Sequence, residues 1–306
     1  MPLYQITHLT RYRHRGTGTA AWQSLHLQPR QEATQRCELF ELEVAPHPED
    51  LSSRMDFFGN KQHIITLNEV HKELSITSRS RVRRENPLLP PASATPALNE
   101  AASLIEDAVL KEDFTIEQFR HPSRFVPFIS AATALAVEFG LSPDLPALTW
   151  FETFGRRFNA AFVYDAEATE ISTPLSDVLQ HRRGVCQDFA HLMVSCLRQQ
   201  GLPAAYVSGY LLTKPPPGRE RLRGADATHA WVSAYLPGAG WVDYDPTNAC
   251  FAGNGHIVIA RGRDFSDVSP VKGLFSGGAH KLVTEVTVEP AEPDGVSAVK
   301  SEETSA

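Results

Sequence analysis

The first 84 residues alternate apolar and polar positions in short runs, a pattern typical of β-strands. Residues 37–42 alternate in this way, and further runs at residues 64–67 and 74–77 follow turn signals such as Phe58-Gly59-Asn60. Several short strands separated by Gly, Pro and Asn are typical of a sandwich of two sheets. We therefore predict a small β-sandwich domain over residues 1–84.

The pattern changes after a proline-rich segment. Residues 85–97 hold four prolines among Ala, Ser and Thr, a composition typical of a linker. Beyond it the apolar positions follow the period of a helix, which predicts helices over residues 98–110, 122–139, 145–158 and 173–181. The third carries an apolar stripe, which we interpret as core: Leu148, Phe151, Phe154 and Phe158.

A further helix opens at a glycine turn and carries a cysteine on its first turn. Apolar residues recur three, four and seven positions after Cys186, until Gly201 and Pro203 end the pattern. Strands are predicted after it, over residues 204–212, 229–236 and 241–245. Residues 214–223 form a proline-rich loop that we predict to be mobile, and the sequence leaves open whether it covers a site.

The last two of these strands form a predicted hairpin. For His229 to lie opposite Asp245 the turn must centre on Pro237, which pairs Val232 with Val242. A loop centred between residues 238 and 239 would turn Asp245 to the other face, because side chains alternate with a period of two. We predict the Pro237-centred pairing or an equivalent bulge.

Charge and composition exclude some classes of protein. The chain has 306 residues, a length that suits two domains, and its 29 basic and 36 acidic residues give a net charge of −7. One basic cluster stands out, Arg79, Arg81, Arg83 and Arg84, and its alternation indicates the solvated face of a strand. We therefore expect no nucleic-acid partner.

Membrane association is also not expected from the sequence. The first twenty residues are polar, and no apolar run approaches the roughly 18 residues that span a bilayer. We predict a cytoplasmic protein without a membrane partner. Residues 291–306 are small, acidic and free of aromatic side chains, a composition that predicts a disordered tail.

The four cysteines are far apart, with no C-x-x-C pair, which favours neither a disulfide framework nor a zinc site. Most cysteines in proteins are buried packing residues, and Cys196, inside the helix, fits that interpretation. Cys186 differs because unpaired N–H groups and the helix dipole at an N-terminus favour a thiolate. Arg182 and Arg183 act in the same direction, whereas Asp188 opposes them.

Three residues could form a catalytic triad: Cys186 as nucleophile, His229 as proton acceptor and donor, and Asp245 as the acid that orients the imidazole. Attack on a carboxamide would give an acyl-thioester and release an amine. The N–H of Cys186 is the natural first donor to the oxyanion. The second donor stays open among four side chains, which are Gln180, Gln187, Trp150 and Trp241.

Two alternatives to this triad are a different acid and a metal site. Asp243 shares the strand face of Asp245, but Asp245 precedes a Pro-Thr turn where a carboxylate can point inward. A metal bound by Cys186, His229 and Asp245 would need a fourth ligand or water, and no H-x-x-x-H companion is present. We expect neither a metal nor a cofactor.

Several segments together resemble the bacterial transglutaminase-like cysteine protease family. They are GVCQDFAHL at 184–192, GLPAAYVSGY at 201–210, HAWV at 229–232, WVDYDPTN at 241–248 and, in the first domain, LHLQPR at 25–30 and DFFGN at 56–60. The resemblance implies an α+β fold, in which an N-terminal β-sandwich precedes a papain-like core of helices packed on an antiparallel sheet over residues 98–290. It also implies that Cys186 is the nucleophile, His229 the general base and Asp245 the orienting acid.

Three functions follow as hypotheses. The first is hydrolysis of an amide bond in a peptide or protein, since bacterial members are mostly regarded as proteases or amidases. The second is transfer of the acyl group to a lysine-type amine. The third is a catalytically idle binding or scaffold protein, against which the complete triad argues. The oligomeric state and the substrate's identity are not predicted.

Overall fold

The first domain is a β-sandwich built largely as the alternation predicts. The computed structural model describes residues 1–109, 114–139, 141–213, 228–276 and 280–292. Six strands precede the linker: β1 (Leu3–Gly18), β2 (Ala21–Leu25), β3 (Gln35–Ala45), β4 (Asp50–Met55), β5 (Lys61–Leu67) and β6 (His71–Arg84). Apolar side chains from β1, β2, β5 and β6 share one buried cluster, so the two sheets pack face to face.

The second domain contains helices on one side of an antiparallel sheet. Its elements are α1 (Leu98–Val109), α2 (Phe114–Glu117), α3 (Ser130–Glu138), α4 (Ala147–Ala161), β7 (Val163–Tyr164), α5 (Leu175–His181), β8 (Arg183–Gly184), α6 (Cys186–Gln199), β9 (Ala204–Leu211), β10 (Thr228–Leu236), β11 (Gly240–Asp245), β12 (Cys250–Phe251), β13 (His256–Gly262) and α7 (Phe265–Val268). Short 3-10 turns lie at Ala92–Ala94 and Gln118–Arg120. The larger sheet has the order β12-β11-β10-β9-β13.

Helix α6 packs on this sheet through the face that the apolar spacing predicts. Phe189, Leu192 and Met193 are buried in the same cluster as Val232 and Ala234 of β10. Each fully buried side chain of this size contributes about 1.5–3 kcal/mol to folding. The apolar contacts therefore fix the position of the helix, and with it the position of its N-terminal residue.

One sequence prediction about the helical region differs from the structure, and two others reach residues that the structure does not describe. The helix predicted over residues 122–139 begins only at Ser130, because Pro122 and Pro127 lack the N–H that a helix needs and disfavour helical geometry in the residue before them. Residue 110 and the proline-rich loop at residues 214–223 lie outside the described residues.

The hairpin pairing is also shifted from the predicted one. Val232 lies opposite Tyr244 and Ala234 opposite Val242, so the turn centres on Gly238 and not on Pro237. Gly238 has a φ of +83°, and a Cβ there would lie 2.1 Å from a backbone oxygen, so only glycine fits. Because the shift is two residues, no side chain changes face. His229 and Asp245 still share a face, but they lie diagonally across it.

The chain returns to the first domain at its C-terminal end. Strand β14 (Val271–Phe275) pairs with β2, and β15 (His280–Ala291) pairs with β1. The sandwich sheets therefore have the orders β15-β1-β6-β3 and β14-β2-β5-β4. The predicted core over residues 98–290 did not anticipate this return, because strands that pair across more than 250 residues leave no local signal. Ala291 still belongs to β15, and residues 293–306 of the predicted tail lie outside the described chain.

The two domains meet at the edge of the larger sheet. Gln35 donates from Nε2 to the carbonyl oxygen of Val258 (2.7 Å) and accepts the N–H of Val258 at Oε1 (2.8 Å). Asn60 makes the same two kinds of bond with Arg261, at 2.8 and 2.9 Å. An unpaired sheet edge exposes backbone donors and acceptors, and here the side chains of the sandwich satisfy them.

No helix in the described part of the chain is both long and apolar enough to cross a bilayer.

We expect Gln35→Ala to lower the free energy of unfolding by about 1–3 kcal/mol, because it leaves the buried N–H of Val258 without an acceptor. Thermal and urea denaturation followed by tryptophan fluorescence measures the change. The matched control is Gln62→Ala, since Gln62 bonds to the side chains of Arg54 and Ser24 only; we expect a change below about 0.5 kcal/mol. Equal effects of the two variants would contradict the edge-docking role.

Candidate active site

The N-terminus of α6 is held by an acidic side chain that folds back over the preceding turn. Oδ2 of Asp188 accepts the N–H of Val185 at 2.9 Å and the hydroxyl of Thr169 at 2.6 Å. A Cβ at Gly184 would lie 2.7 Å from that oxygen, so the position requires glycine. Burial raises the pKa of Asp188, against the lowering effect of its two hydrogen bonds. The carboxylate is therefore committed to the turn that precedes the cysteine.

The first turn of α6 offers free backbone donors. The first bond of the helix runs from the N–H of Phe189 to the carbonyl oxygen of Val185. The N–H groups of Cys186 and Gln187 precede it, and the geometry of a helix leaves such groups pointing out of its N-terminal end. The half-buried Cys186 thus lies among donors that can stabilise negative charge.

Strands β10 and β11 bring an imidazole and a carboxylate together. Nε2 of His229 lies 2.7 Å from Oδ2 of Asp245, and Asp245 is fully buried. Nδ1 is the ring nitrogen of His229 that Asp245 does not engage, and the thiol of Cys186 lies near enough to the ring to raise the pKa of His229. The structure therefore brings together the three residues that the sequence suggested for a triad.

The Asp245 carboxylate accepts five hydrogen bonds. Oδ2 accepts from His229, His256 and the side-chain amide of Asn248, at 2.7, 3.1 and 2.7 Å, and Oδ1 accepts from the N–H groups of Thr247 and Asn248, at 2.9 and 3.2 Å. The last two bonds form the turn that a DPTN sequence favours. Burial alone would raise the pKa of Asp245, but these donors hold it well below its ordinary range.

The same interactions raise the pKa of His229, whereas they lower that of Asp245. Burial lowers the pKa of His229, but the hydrogen bonds and charges of Asp245 and Cys186 outweigh it and raise the pKa to about 10. At neutral pH the ring is therefore an imidazolium. A positive ring next to the sulfur is the partner that a thiolate needs.

His256 is a member of the cluster that sequence reasoning missed. Its Nδ1 accepts the N–H of Gly253 at 3.1 Å, so the proton of the neutral ring lies on Nε2, which donates to Asp245 at 3.1 Å. The residue begins β13, at the far edge of the sheet from β11. Strands β10 and β9 lie between β11 and β13 in the sheet, so neither the strand order nor the spacing of residues in the sequence indicates this contact.

The ring nitrogens of His229 and His256 and the Asp245 carboxylate lie within 4.8 Å of one another, a spacing that a metal ion could bridge. The hydrogen bonds do not fit that role. The Gly253 N–H fixes a proton on the His256 nitrogen that faces Asp245, and a metal ligand needs a free lone pair there. We therefore interpret the cluster as a hydrogen-bonded ion pair.

Asp243, the competing acid, has a different partner. Arg261 binds it through both terminal nitrogens at 2.8 and 2.9 Å, and the indole N–H of Trp231 donates to it at 3.2 Å. Trp231 in turn lies between this ion pair and the two histidines, with its ring centroid 6.1 Å from that of His229 and 5.3 Å from that of His256. Asp243 therefore lies on the side of Trp231 away from the histidines and does not orient His229.

The four candidates for a second oxyanion donor are spread over the domain. Gln187 follows the cysteine directly and is half-buried, and Gln180 is exposed on α5. Trp150 is buried in the helical core and stacks on Phe154. Trp241 lies four residues before Asp245 on the strand, about 13 Å away at ~3.3 Å per residue. Its place next to Cys186 favours Gln187 as the second oxyanion donor, whereas the positions of Trp150 and Trp241 do not support either tryptophan in that role.

The other cysteines differ from Cys186 in their surroundings. Burial raises the pKa of Cys196 to about 12 and that of Cys37 to about 11. Cys250 is exposed, and partial burial together with the charge of Asp245 raises its pKa. At Cys186 a charged imidazole lies next to the thiol, so this site is the one arranged for a nucleophile.

Comparisons with known proteins give one family match in each of the two domains. Residues 4–83 match the bacterial transglutaminase-like N-terminal region, and residues 153–246 match the transglutaminase-like superfamily. An uncharacterized Mycobacterium tuberculosis protein is 38% identical over 306 residues, which cover 96% of this chain and 95% of that protein. A 67-residue segment is 39% identical to a protein-glutamine gamma-glutamyltransferase of Pseudomonas aeruginosa, covering 22% of this chain and 10% of that protein.

A solved structure shares the whole fold. A candidate cysteine protease from Cytophaga hutchinsonii is 19% identical, with a TM-score of 0.73 over 96% of this chain and 92% of that one. This likeness shows the α+β fold with antiparallel sheets. The two family matches and the near full-length mycobacterial relative show that the chain belongs to the transglutaminase-like superfamily, in the bacterial group that carries the transglutaminase-like N-terminal region.

Proposed function

We propose that this protein is a cysteine-dependent hydrolase of amide bonds in peptides or proteins. The observation that carries the proposal is the hydrogen bond of 2.7 Å between the His229 ring and the buried Asp245, with the Cys186 thiol close enough to the ring to raise the pKa of His229. In this proposal Cys186 is the nucleophile, His229 moves the proton, and Asp245 fixes the ring's orientation.

The first half of the reaction forms an acyl-enzyme. The Cys186 thiolate attacks the amide carbon, and the carbonyl electrons move to the oxygen, which faces the N–H of Cys186. Nδ1 of His229 gives its proton to the amide nitrogen, the C–N bond breaks, and an amine leaves. A thioester on Cys186 remains.

The second half regenerates the thiol. His229, now neutral, removes a proton from water, and the hydroxide attacks the thioester carbon. The C–S bond breaks, a carboxylic acid leaves, and the proton on His229 restores the ion pair with Cys186. Asp245 keeps its charge throughout, because its five donors hold its pKa low.

Acyl transfer is the second candidate function. The match to the glutamyltransferase of Pseudomonas aeruginosa favours it, although that match covers a tenth of the relative. The same thioester would then be attacked by a primary amine, with His229 removing the amine proton. The two functions differ only in the acceptor, so a competition between water and amine separates them.

A peptide library read by mass spectrometry tests the proposal. We expect cleaved products with the unaltered chain and none with Cys186→Ala, and Cys196→Ala, which changes a buried thiol on the same helix, serves as the control. A parallel arm adds a dansylated alkylamine; incorporation in place of cleavage would favour acyl transfer. Product formation that is unaffected by Cys186→Ala would contradict both functions. A folded chain that binds its substrate without turnover would favour the scaffold hypothesis.

The pH dependence should follow His229. With its pKa raised to about 10, the ring keeps its proton through neutral pH, and kcat/KM should fall as the pH rises towards that value. Asp245→Asn removes the charge that raises the pKa, so we expect the alkaline fall to move down by at least about one pH unit. The rate at neutral pH should drop by roughly 10³–10⁴-fold.

The pH profile of kcat/KM measures both effects of that change. Asp177→Asn, on the exposed face of α5, is the control and should leave the profile in place. An unchanged alkaline fall in Asp245→Asn would show that Asp245 does not set the protonation of His229.

His256 should act as a positioning residue through Asp245. We expect His256→Leu to lower kcat by about tenfold or more, the cost of one hydrogen bond to a charged group, and to leave KM unchanged. His256→Gln can still donate an N–H to Asp245 and should recover most of the rate. Steady-state kinetics on the three proteins measure this, and equal losses in both variants would argue for a packing role only.

A further inference from the structure

A second concave site lies between the two domains. The cleft has a volume of about 730 Å³, within the range of sites that bind small molecules. Among the described residues that line it, none belongs to the triad. Large apolar side chains line it, among them Phe57, Phe58, Leu88, Leu89, Phe119 and Trp241.

The charged lining of the cleft contains more cations than anions. Arg30, Arg84 and Arg261 face two carboxylates, Glu32 and Asp243. Arg261 binds both acids, through Nε to Glu32 at 2.9 Å and through its terminal nitrogens to Asp243 at 2.8 and 2.9 Å. Nε of Arg30 lies 3.3 Å from Glu32. The two acids are thus paired with two of the arginines, and one positive charge remains.

The remaining charge is on Arg84. This residue is 1% exposed, and its terminal nitrogen donates to the hydroxyl of Thr34 at 2.7 Å. The carboxylate of Glu32 lies 3.8 Å away, beyond hydrogen-bond distance, and the buried Nε has no hydrogen-bond partner in the described structure. Burial lowers the pKa of Arg84, and the charges of Asp243 and Glu32 act against that effect, so the cation is held away from water with only partial compensation.

We propose that the cleft binds a carboxylate that carries an apolar body, with Arg84 pairing the carboxylate and the aromatic side chains of Phe58, Phe119 and Trp241 contacting the body. An anion there supplies the charge that the arginines lack, and the aromatic faces remove apolar surface from water. A free amphipathic acid and the C-terminus of a peptide both have this chemistry. This inference does not rest on the proposed hydrolysis.

Calorimetric titration of the full-length Cys186→Ala chain tests the proposal without interference from turnover. The first probe is 4-phenylbutyrate, and 4-phenylbutylamine, which has the same body and the opposite charge, is its control. We expect the acid to bind at least about tenfold more tightly than the amine. Equal or weaker binding of the acid would exclude a free acid as the ligand.

A second pair of probes distinguishes the two sources of the carboxylate. The peptide Gly-Ala-Phe is titrated with a free C-terminus and as the C-terminal amide. Tighter binding of the free peptide than of 4-phenylbutyrate assigns the cleft to peptide termini, and the reverse order assigns it to free acids. A free peptide that binds no better than its amide, together with an acid that binds no better than the amine, contradicts the proposal.

Two substitutions place the binding in the cleft. Arg84→Met should weaken the binding of 4-phenylbutyrate by about tenfold or more, and Arg79→Met, on the same strand but exposed and paired with Glu43 at 3.0 Å, should not. Phe57 is 76% exposed, so Phe57→Glu should fold normally while its charge weakens binding of the acid and not of the amine. Unchanged binding of the acid in both Arg84→Met and Phe57→Glu would overturn the assignment.

Discussion

The buried carboxylate of Asp245 is the constraint on which the site depends. A charge removed from water destabilises the fold unless hydrogen bonds compensate it, and five donors from three segments do so here. These hydrogen bonds fix the turn after β11 and the orientations of the His229 and His256 rings. The charge also keeps His229 protonated, which is the state that a neighbouring thiolate requires. The need to compensate the buried charge of Asp245 thus fixes the local structure and also keeps His229 protonated.

The N-terminal sandwich is part of the structure that supports the site. Strand β13 carries His256 and Arg261, and its free edge is satisfied by the side chains of Gln35 and Asn60. Arg261 reaches Asp243 across the sheet and holds Glu32 of the sandwich at the same time. The edge strand that carries His256 is therefore stabilised by the first domain. Strands β14 and β15 also connect the two domains, because they return the chain to the sandwich after β13.

The opposite side of the sheet supplies the thiol. Helix α6 is positioned by its buried apolar face, and Gly184 leaves room for Asp188 to close the preceding turn. Trp231 lies between the histidines and the Asp243–Arg261 pair, so the indole joins the interdomain network to the site by direct contact. Gly209 permits this contact, since a Cβ there would lie 2.3 Å from the Trp231 ring.

The sequence by itself determined most of the elements and suggested the groups that we propose to be reactive. The apolar spacing of α6, the stripe on α4 and the alternation along β10 depend on neighbours in sequence, and so does the position of Cys186 at a helix N-terminus. Tertiary structure decided the rest. The two-residue shift of the hairpin, the partner of Asp243, the return of β14 and β15 and the contact of His256 with Asp245 all depend on contacts between separate elements. Local periodicity carries no information about such contacts, because they arise from the packing and the edges of whole sheets.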